Sequence, residues 1–216
     1  MKKYFLILVL GFSLVLAGCV GQIKTLADIL EVAGKNNNYY YRQVDLESND
    51  EYTEIFFKDG KIKIKSPVGN TYIDVASNRL YAGSNEEIFQ NIFLFSEIPA
   101  QLEGFLEYNL IIPIIGIDLN TEYIAREAID GKTAYVFELS DNQDGYNYTT
   151  KIWFWDKNGL PIKFSIINNA NGNSLDIKVE DMKLGTVTDQ DVSVPAEAQL
   201  IDASQAIPEE LINGGQ

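Results

Sequence analysis

A chain of 216 residues, 46% of them hydrophobic, is long enough for one domain with a sizeable core. Its 31 acidic residues against 17 basic ones give a formal charge of -14, which repels phosphate backbones and excludes nucleic acid as a partner. There is no histidine and a single cysteine, Cys19. An intramolecular disulfide, a His-ligated metal, and Ser-His-Asp or Cys-His catalysis are therefore all excluded, and no cofactor is called for.

The chain begins with Met1-Lys2-Lys3, a short positive segment, followed by an apolar run from Tyr4 to Leu16. That run is too short to cross about 30 Å of hydrocarbon at about 1.5 Å per residue, and it has the length of a secretory signal core. Leu16-Ala17-Gly18-Cys19 closes it and resembles the prokaryotic lipoprotein signal, the lipobox. The resemblance implies residues 1–18 as a cleaved signal peptide and diacylglycerol on the Cys19 thiol. The mature chain would then be extracytoplasmic, anchored by its lipid to the cell membrane or the outer membrane.

From Val20 to Lys35 the residues Ile23, Leu26, Ala27, Leu30 and Ala33 recur at helical steps, with Thr25-Leu26-Ala27-Asp28 opening the stripe. The spacing predicts a helix ended by Gly34. After Tyr39 the pattern turns β-branched and aromatic, broken by Asp59-Gly60, Gly69-Asn70, Ser77-Asn78, Asp130-Gly131, Asn158-Gly159 and Asn171-Gly172. Asx-Gly pairs supply the positive φ angles of tight hairpins, so the series predicts an antiparallel meander. Ile152 and Phe154 alternate with Trp153 and Trp155, Ile162 and Phe164 with Lys163, and Ile177 and Val179 with Lys178. One sheet face is thereby expected to be buried and the other wet.

Between the two runs of strands, Ile88, Phe89, Ile92 and Phe93 fit one helical face, with Ser84 or Asn85 as N-cap. Pro99 suits a second helix start, continued by Leu102, Phe105 and Leu106. These positions predict a helical lid over about 84–108. With Phe154, Phe164 and Ile177 of the strands they are the candidate lining of a hydrophobic cavity. The run Leu110, Ile111, Ile112, Ile114 and Ile115 is read as core or as a membrane- or partner-facing loop. Val192 and Val194 are read as finishing a last strand before Pro195, and residues 201–216 as a flexible tail after a single domain spanning 19–200.

Other motifs carry little chemistry. Asp141-Asn142-Gln143-Asp144-Gly145 lacks the bidentate Glu of an EF-hand and reads as a hairpin turn. The neighbours Glu86-Glu87 and Glu209-Glu210 point apart and make no glycosidase pair. Trp153 and Trp155 suit either a carbohydrate-stacking surface or ordinary sheet packing.

Two segments carry a further resemblance: Ile129-Asp130-Gly131-Lys132-Thr133, inside Tyr123 to Leu139, and Trp153-Phe154-Trp155-Asp156-Lys157-Asn158-Gly159-Leu160-Pro161. A strand turning at Asp-Gly-Lys, a tryptophan-bearing strand, a Gly-Leu-Pro turn and an end near Val194-Pro195 resemble the LolA/LolB-like lipoprotein-carrier superfamily over most of Tyr39 to Pro195. The resemblance implies an α+β fold: a strongly curved antiparallel sheet, an incomplete barrel, covered on its concave face by helices. It implies a non-enzymatic carrier of acyl chains, with a lipid or acylated protein as ligand. The family's cavity arginine has three candidates here, Arg42, Arg79 and Arg126. A protein-interaction or envelope-sensor module on the same fold, with its cavity packed, is the other reading. A monomer is expected.

Overall fold

The computed structural model describes residues 23–47, 52–87, 89–99, 106, 118–141 and 147–206. Helix α1 is Leu26–Gly34. The strands follow as β1 Asn38–Asp45, β2 Tyr52–Lys58, β3 Lys61–Lys65, β4 Gly69–Asp74, β5 Arg79–Ser84 and β6 Ile92–Glu97. After the insert come β7 Ala125–Ile129, β8 Lys132–Asp141, β9 Tyr148–Trp155, β10 Pro161–Asn168, β11 Ser174–Leu184 and β12 Gln199–Asp202, then a short α2, Ala203–Ala206. All twelve strands form one curved, unclosed sheet in the order β12-β6-β5-β4-β3-β2-β1-β11-β10-β9-β8-β7. Every pairing is antiparallel except β12 with β6, which is parallel.

The expected hairpins form where the turn residues dictate them. Asp59 and Gly60 have φ of 48° and 77°, and Asp130 and Gly131 have 49° and 75°. Consecutive positive φ values match the twist of the flanking strands and fix the registers Lys58↔Lys61 and Ile129↔Lys132. Gly69 and Asn70, expected as a turn, instead begin β4. The reversal lies one step earlier, where Ser66 exchanges backbone hydrogen bonds with Gly69.

Residues 92–97 correct the expected lid. Ile92 and Phe93 belong to β6, where Phe93 pairs with Gly83 on one side and Leu200 on the other, and Ile92 pairs with Gln199. Phe89 is an exposed turn residue, and Leu106 is helical and buried. A short apolar run with neighbours on both sides fits a strand buried on two faces as well as a helix, and here the pairing decides. Ile88, Leu102, Phe105 and Leu110 to Ile117 lie outside the described residues, as do Cys19 and the rest of 1–22 and the turn 142–146.

Two more expectations change. The first helix begins at Thr25, not Val20, because Thr25 Oγ1 accepts from Asp28 N while Asp28 Oδ2 accepts from Thr25 N at 2.9 Å, a reciprocal cap. Regular structure continues past residue 200, since Ile201 and Asp202 complete β12 and α2 follows, while 207–216 lie outside the described residues. Val192 and Val194, expected as a last strand, lie in the connection before it. To reach β6 from β11, residues 185–198 cross the sheet over β1 to β5. Asn38 and Val187 exchange two hydrogen bonds of 2.8 and 2.9 Å, Lys58 pairs with Asp189 at 2.9 Å, and Val192 is buried.

Candidate functional site

The sheet face packed against α1 is here called the inner face. Strand alternation places Tyr39, Tyr41, Ile55, Phe57, Ile62, Ile73, Phe137, Ile152, Phe154 and Phe164 on it, all buried in one cluster with Leu26, Ile29, Leu30 and Ala33 of α1. Its aromatic rings interlock: Tyr39 stacks on Phe57 at 4.9 Å and on Tyr41 at 5.7 Å, and Phe137 meets Phe154 edge-on at 5.7 Å. Burial pushes both Tyr39 and Tyr41 hydroxyls well above the usual tyrosine range, so both stay neutral.

Helix α1 is fixed at both ends. Its first amides, Leu26 N and Ala27 N, donate to Thr121 O at 2.8 Å and Leu119 O at 2.9 Å. At the other end, Asn36 Nδ2 donates to Ala33 O at 2.8 Å and to Asn158 O at 2.7 Å. The Asn158-Gly159-Leu160-Pro161 turn therefore has a mechanical role. Gly159 has φ of 68°, and a Cβ there would sit 2.5 Å from Ala33 N and 2.6 Å from Ile29 O. Only glycine lets this turn touch the helix backbone.

At the far end of the same face, β5, β6 and β12 carry Leu80, Ala82, Ile92, Leu94 and Ile201. Ala82 is exposed, Leu94 is 42% exposed, and the others are half-buried. The chain enters the insert beside this shelf at Ile98, which is buried in the main cluster, as is Leu106.

The expected cavity residues are thus divided. Phe154, Phe164 and Leu106 meet in the inner-face cluster, with Ile177 packed at its margin. Ile92 faces the shelf, whereas Phe93 points to the opposite face, edge-on to Tyr72 at 5.7 Å with its ring against Gly83. Ile162 also leaves the expected row. A register shift between Pro161 and Lys163 turns it into a second cluster with Trp153, Ala134 and Val136, so the outer face is not simply wet. Trp153 is held there by donating to Glu127 Oε2 at 2.8 Å and by Lys163 over its ring at 4.7 Å. Sequence reading passed over Tyr39, Tyr41, Ile55 and Phe57, whose strict alternation was the available signal.

Of the three arginines, Arg42 is paired on the outer face with Glu180 and Asp181, at 3.3 and 3.0 Å, and Arg79 lies over Phe95. Arg126 is on the inner side at the sheet's edge, over Tyr135 and 3.5 Å from Asp156. Among the described residues no group of three or more Cys, Asp or Glu side chains is placed to hold a metal, and no helix is long and apolar enough to cross a membrane.

The chain matches no protein-family model and no curated protein. Its fold is similar to that of an uncharacterized conserved protein from Thermus thermophilus, with a TM-score of 0.57 and 11% identity over 81% of this chain and 97% of that one. Similar structures also include the MucA/MucB complex of Pseudomonas aeruginosa, at a TM-score of 0.48 and 13% identity. That match covers 82% of this chain but 63% of the other. A LolA superfamily protein from Nitrosomonas europaea is similar at a TM-score of 0.36 and 13% identity, over 78% of this chain and 97% of that one.

Proposed function

We propose that this protein is a non-enzymatic lipoprotein of the cell envelope, tethered through lipid on Cys19, that binds an acyl chain or another hydrophobic ligand on the inner face of its sheet. The observation that carries the reading is the mismatch between the apolar face and its roof. Twelve strands about 4.8 Å apart extend roughly 50 Å along the curve, whereas a nine-residue helix is about 13 Å long and about 10 Å across. Among the described residues, helix α1 covers the middle of the face and leaves the shelf at Leu80, Ala82, Ile92, Leu94 and Ile201. Each methylene moved from water onto such a surface is worth about 0.8 kcal/mol. The run of sequence from Tyr123 to Pro161 that resembles the lipoprotein carriers supports the same assignment.

The test is native mass spectrometry of the full-length protein, purified in mild detergent and then titrated with a fluorescent fatty acid. Retained acyl-chain adducts and saturable uptake are expected, with uptake weakened at least ten-fold in Leu94→Asp, whose exposed side chain makes the change tolerable to the fold. A clean unliganded mass with no uptake would remove the assignment.

A second reading, a protein-interaction module on the same fold, has its own observation. Phe154 and Phe164 are already fully covered and α1 is clamped at both ends. An unliganded mass together with a stoichiometric envelope partner would favour it.

A further inference from the structure

On the outer face, where residues 185–198 cross the sheet, the chain does not lie flush. A cavity of about 230 Å³ remains beneath it, lined by Lys61, Tyr72, Asp74 and Tyr81 of the strands and by Val192 and Val194 of the crossing segment. We propose that this cavity is a binding site for a neutral saccharide ring, separate from the hydrophobic site of the inner face.

The polar groups that the strands bring to the cavity keep spare hydrogen-bonding capacity, whereas Ser193, which lines it beside Ile73 and Leu200, spends its hydroxyl on Asp189 O at 2.6 Å. Asp74 spends one carboxylate oxygen, Oδ1, on the turn amides of Ala76 and Ser77 at 3.1 and 3.4 Å, and its Oδ2 accepts no hydrogen bond from a described residue. The hydroxyls of Tyr72 and Tyr81 likewise make no hydrogen bond among the described residues, although Tyr72 is 5% exposed. Lys61 stands directly opposite Asp74 in the strand register, so an acceptor and a donor of opposite charge flank the same opening. Tyr72 and Tyr81 are themselves cross-strand partners, which brings two aromatic rings side by side as one wall. Val192 and Val194 close the cavity from above.

The chemistry of this lining selects among ligands. An alkyl chain would strand the Asp74 carboxylate and the Lys61 ammonium without partners, at a desolvation cost. A simple ion would leave the aromatic wall and the valines without contacts. A sugar ring offers C–H faces to aromatic rings and hydroxyls that both donate and accept, and it carries no charge to disturb the balance of Lys61 with Asp74. The volume suits one pyranose ring.

The experiment is titration of the full chain with N-acetylglucosamine, its β-1,4-linked dimer and, as a contrast, phenylalanine, followed by amide NMR shifts. Saccharide binding with a dissociation constant of about 1–5 mM is expected, with shifts centred on Tyr72, Tyr81 and Val194. Asp74→Asn keeps the turn-forming oxygen and removes the charge, so it should weaken binding about ten-fold while leaving the circular dichroism unchanged. Val194→Trp fills the cavity from above without touching a polar group and should abolish binding. Absence of saccharide binding, tighter binding of phenylalanine, or equal binding by wild type and Val194→Trp would overturn the assignment. Fatty-acid uptake should be unaffected by either variant, so failure here leaves the inner-face reading standing, and the reverse holds too.

Discussion

Tyr41 is the residue at which the inner face departs from ordinary core chemistry. Its side chain is fully buried, and its hydroxyl finds no hydrogen-bond partner among the described residues. A buried hydroxyl without a partner costs about 1–3 kcal/mol relative to one left in water. Tyr41→Phe removes that group and keeps the ring that stacks on Tyr39, at the expense of a void the size of one oxygen. The variant should be more stable than the parent by about 1 kcal/mol, read as a rise in the urea midpoint with an unchanged slope. The opposite sign would show that the hydroxyl has a role in the folded protein. Period-two reading can place Tyr41 inside, because Tyr39 and Tyr41 alternate with Tyr40. No sequence pattern can reveal that its hydroxyl lacks a partner, since that depends on strands far away in the chain.

Elements were legible where local chemistry decides them. The reciprocal cap at Thr25 and Asp28, the Asp-Gly hairpins and the alternation in β9 are all set by residues a few positions apart. Strand β6 was not legible, because Ile92-Phe93-Leu94-Phe95 is apolar on both sides and only its pairing with β5 and β12 distinguishes strand from helix. The Asn158-Gly159-Leu160-Pro161 turn was visible as a turn, while its contact with α1 was not. Gly159→Ala forces a side chain into the helix backbone at positive φ, and this should cost about 2–4 kcal/mol, measured by thermal or urea unfolding. Gly131→Ala is the control: its φ is similarly positive but a Cβ there meets nothing within 4 Å, so only the smaller conformational cost of about 1 kcal/mol applies. Strand β7 is an outer strand, and its sequence guards it. Its two-residue turn makes Ile129↔Lys132 a hydrogen-bonded pair, which directs the backbone groups of Arg126 and Ala128 outward. An antiparallel copy that overlaps the whole of β7 must then pair about Glu127, which sets two Glu127 carboxylates opposite each other. Sedimentation should show a monomer, and the double change Arg126→Thr, Glu127→Val should introduce concentration-dependent association.

At the scale of the whole molecule, the crossing of residues 185–198 was the least legible feature. Val192 and Val194 suggested a final strand, but a four-residue parallel strand at the far edge leaves no period to read. The charge distribution, by contrast, was plain from composition, and it sets the response to pH. Asp28 is held below the usual carboxylate range by the amides of Thr25 and Lys24, Asp191 by the amide and hydroxyl of Thr188, and Asp189 by Lys58. Burial pulls Glu54 the other way, but hydrogen bonds from Lys65 and Tyr40 outweigh it and its carboxyl is also lowered. A group lowered on folding adds stability above its unfolded value, and that contribution disappears as pH falls through the folded one. Stability should therefore decline below about pH 4. At the alkaline end burial raises Tyr39 and Tyr41, and burial followed by the Glu54 hydrogen bond pushes Tyr40 up to about 12. Phenols raised on folding add stability that is complete below the unfolded value of 10.0 and is lost as pH climbs past it. With no histidine in the chain, no side chain other than the Cys19 thiol ordinarily titrates between these limits. The urea midpoint should be level from about pH 6 to pH 8 and fall on both sides. A slope inside that interval would require a group displaced by several pH units, and the insert between Ile98 and Asp118 would be the place to look for it.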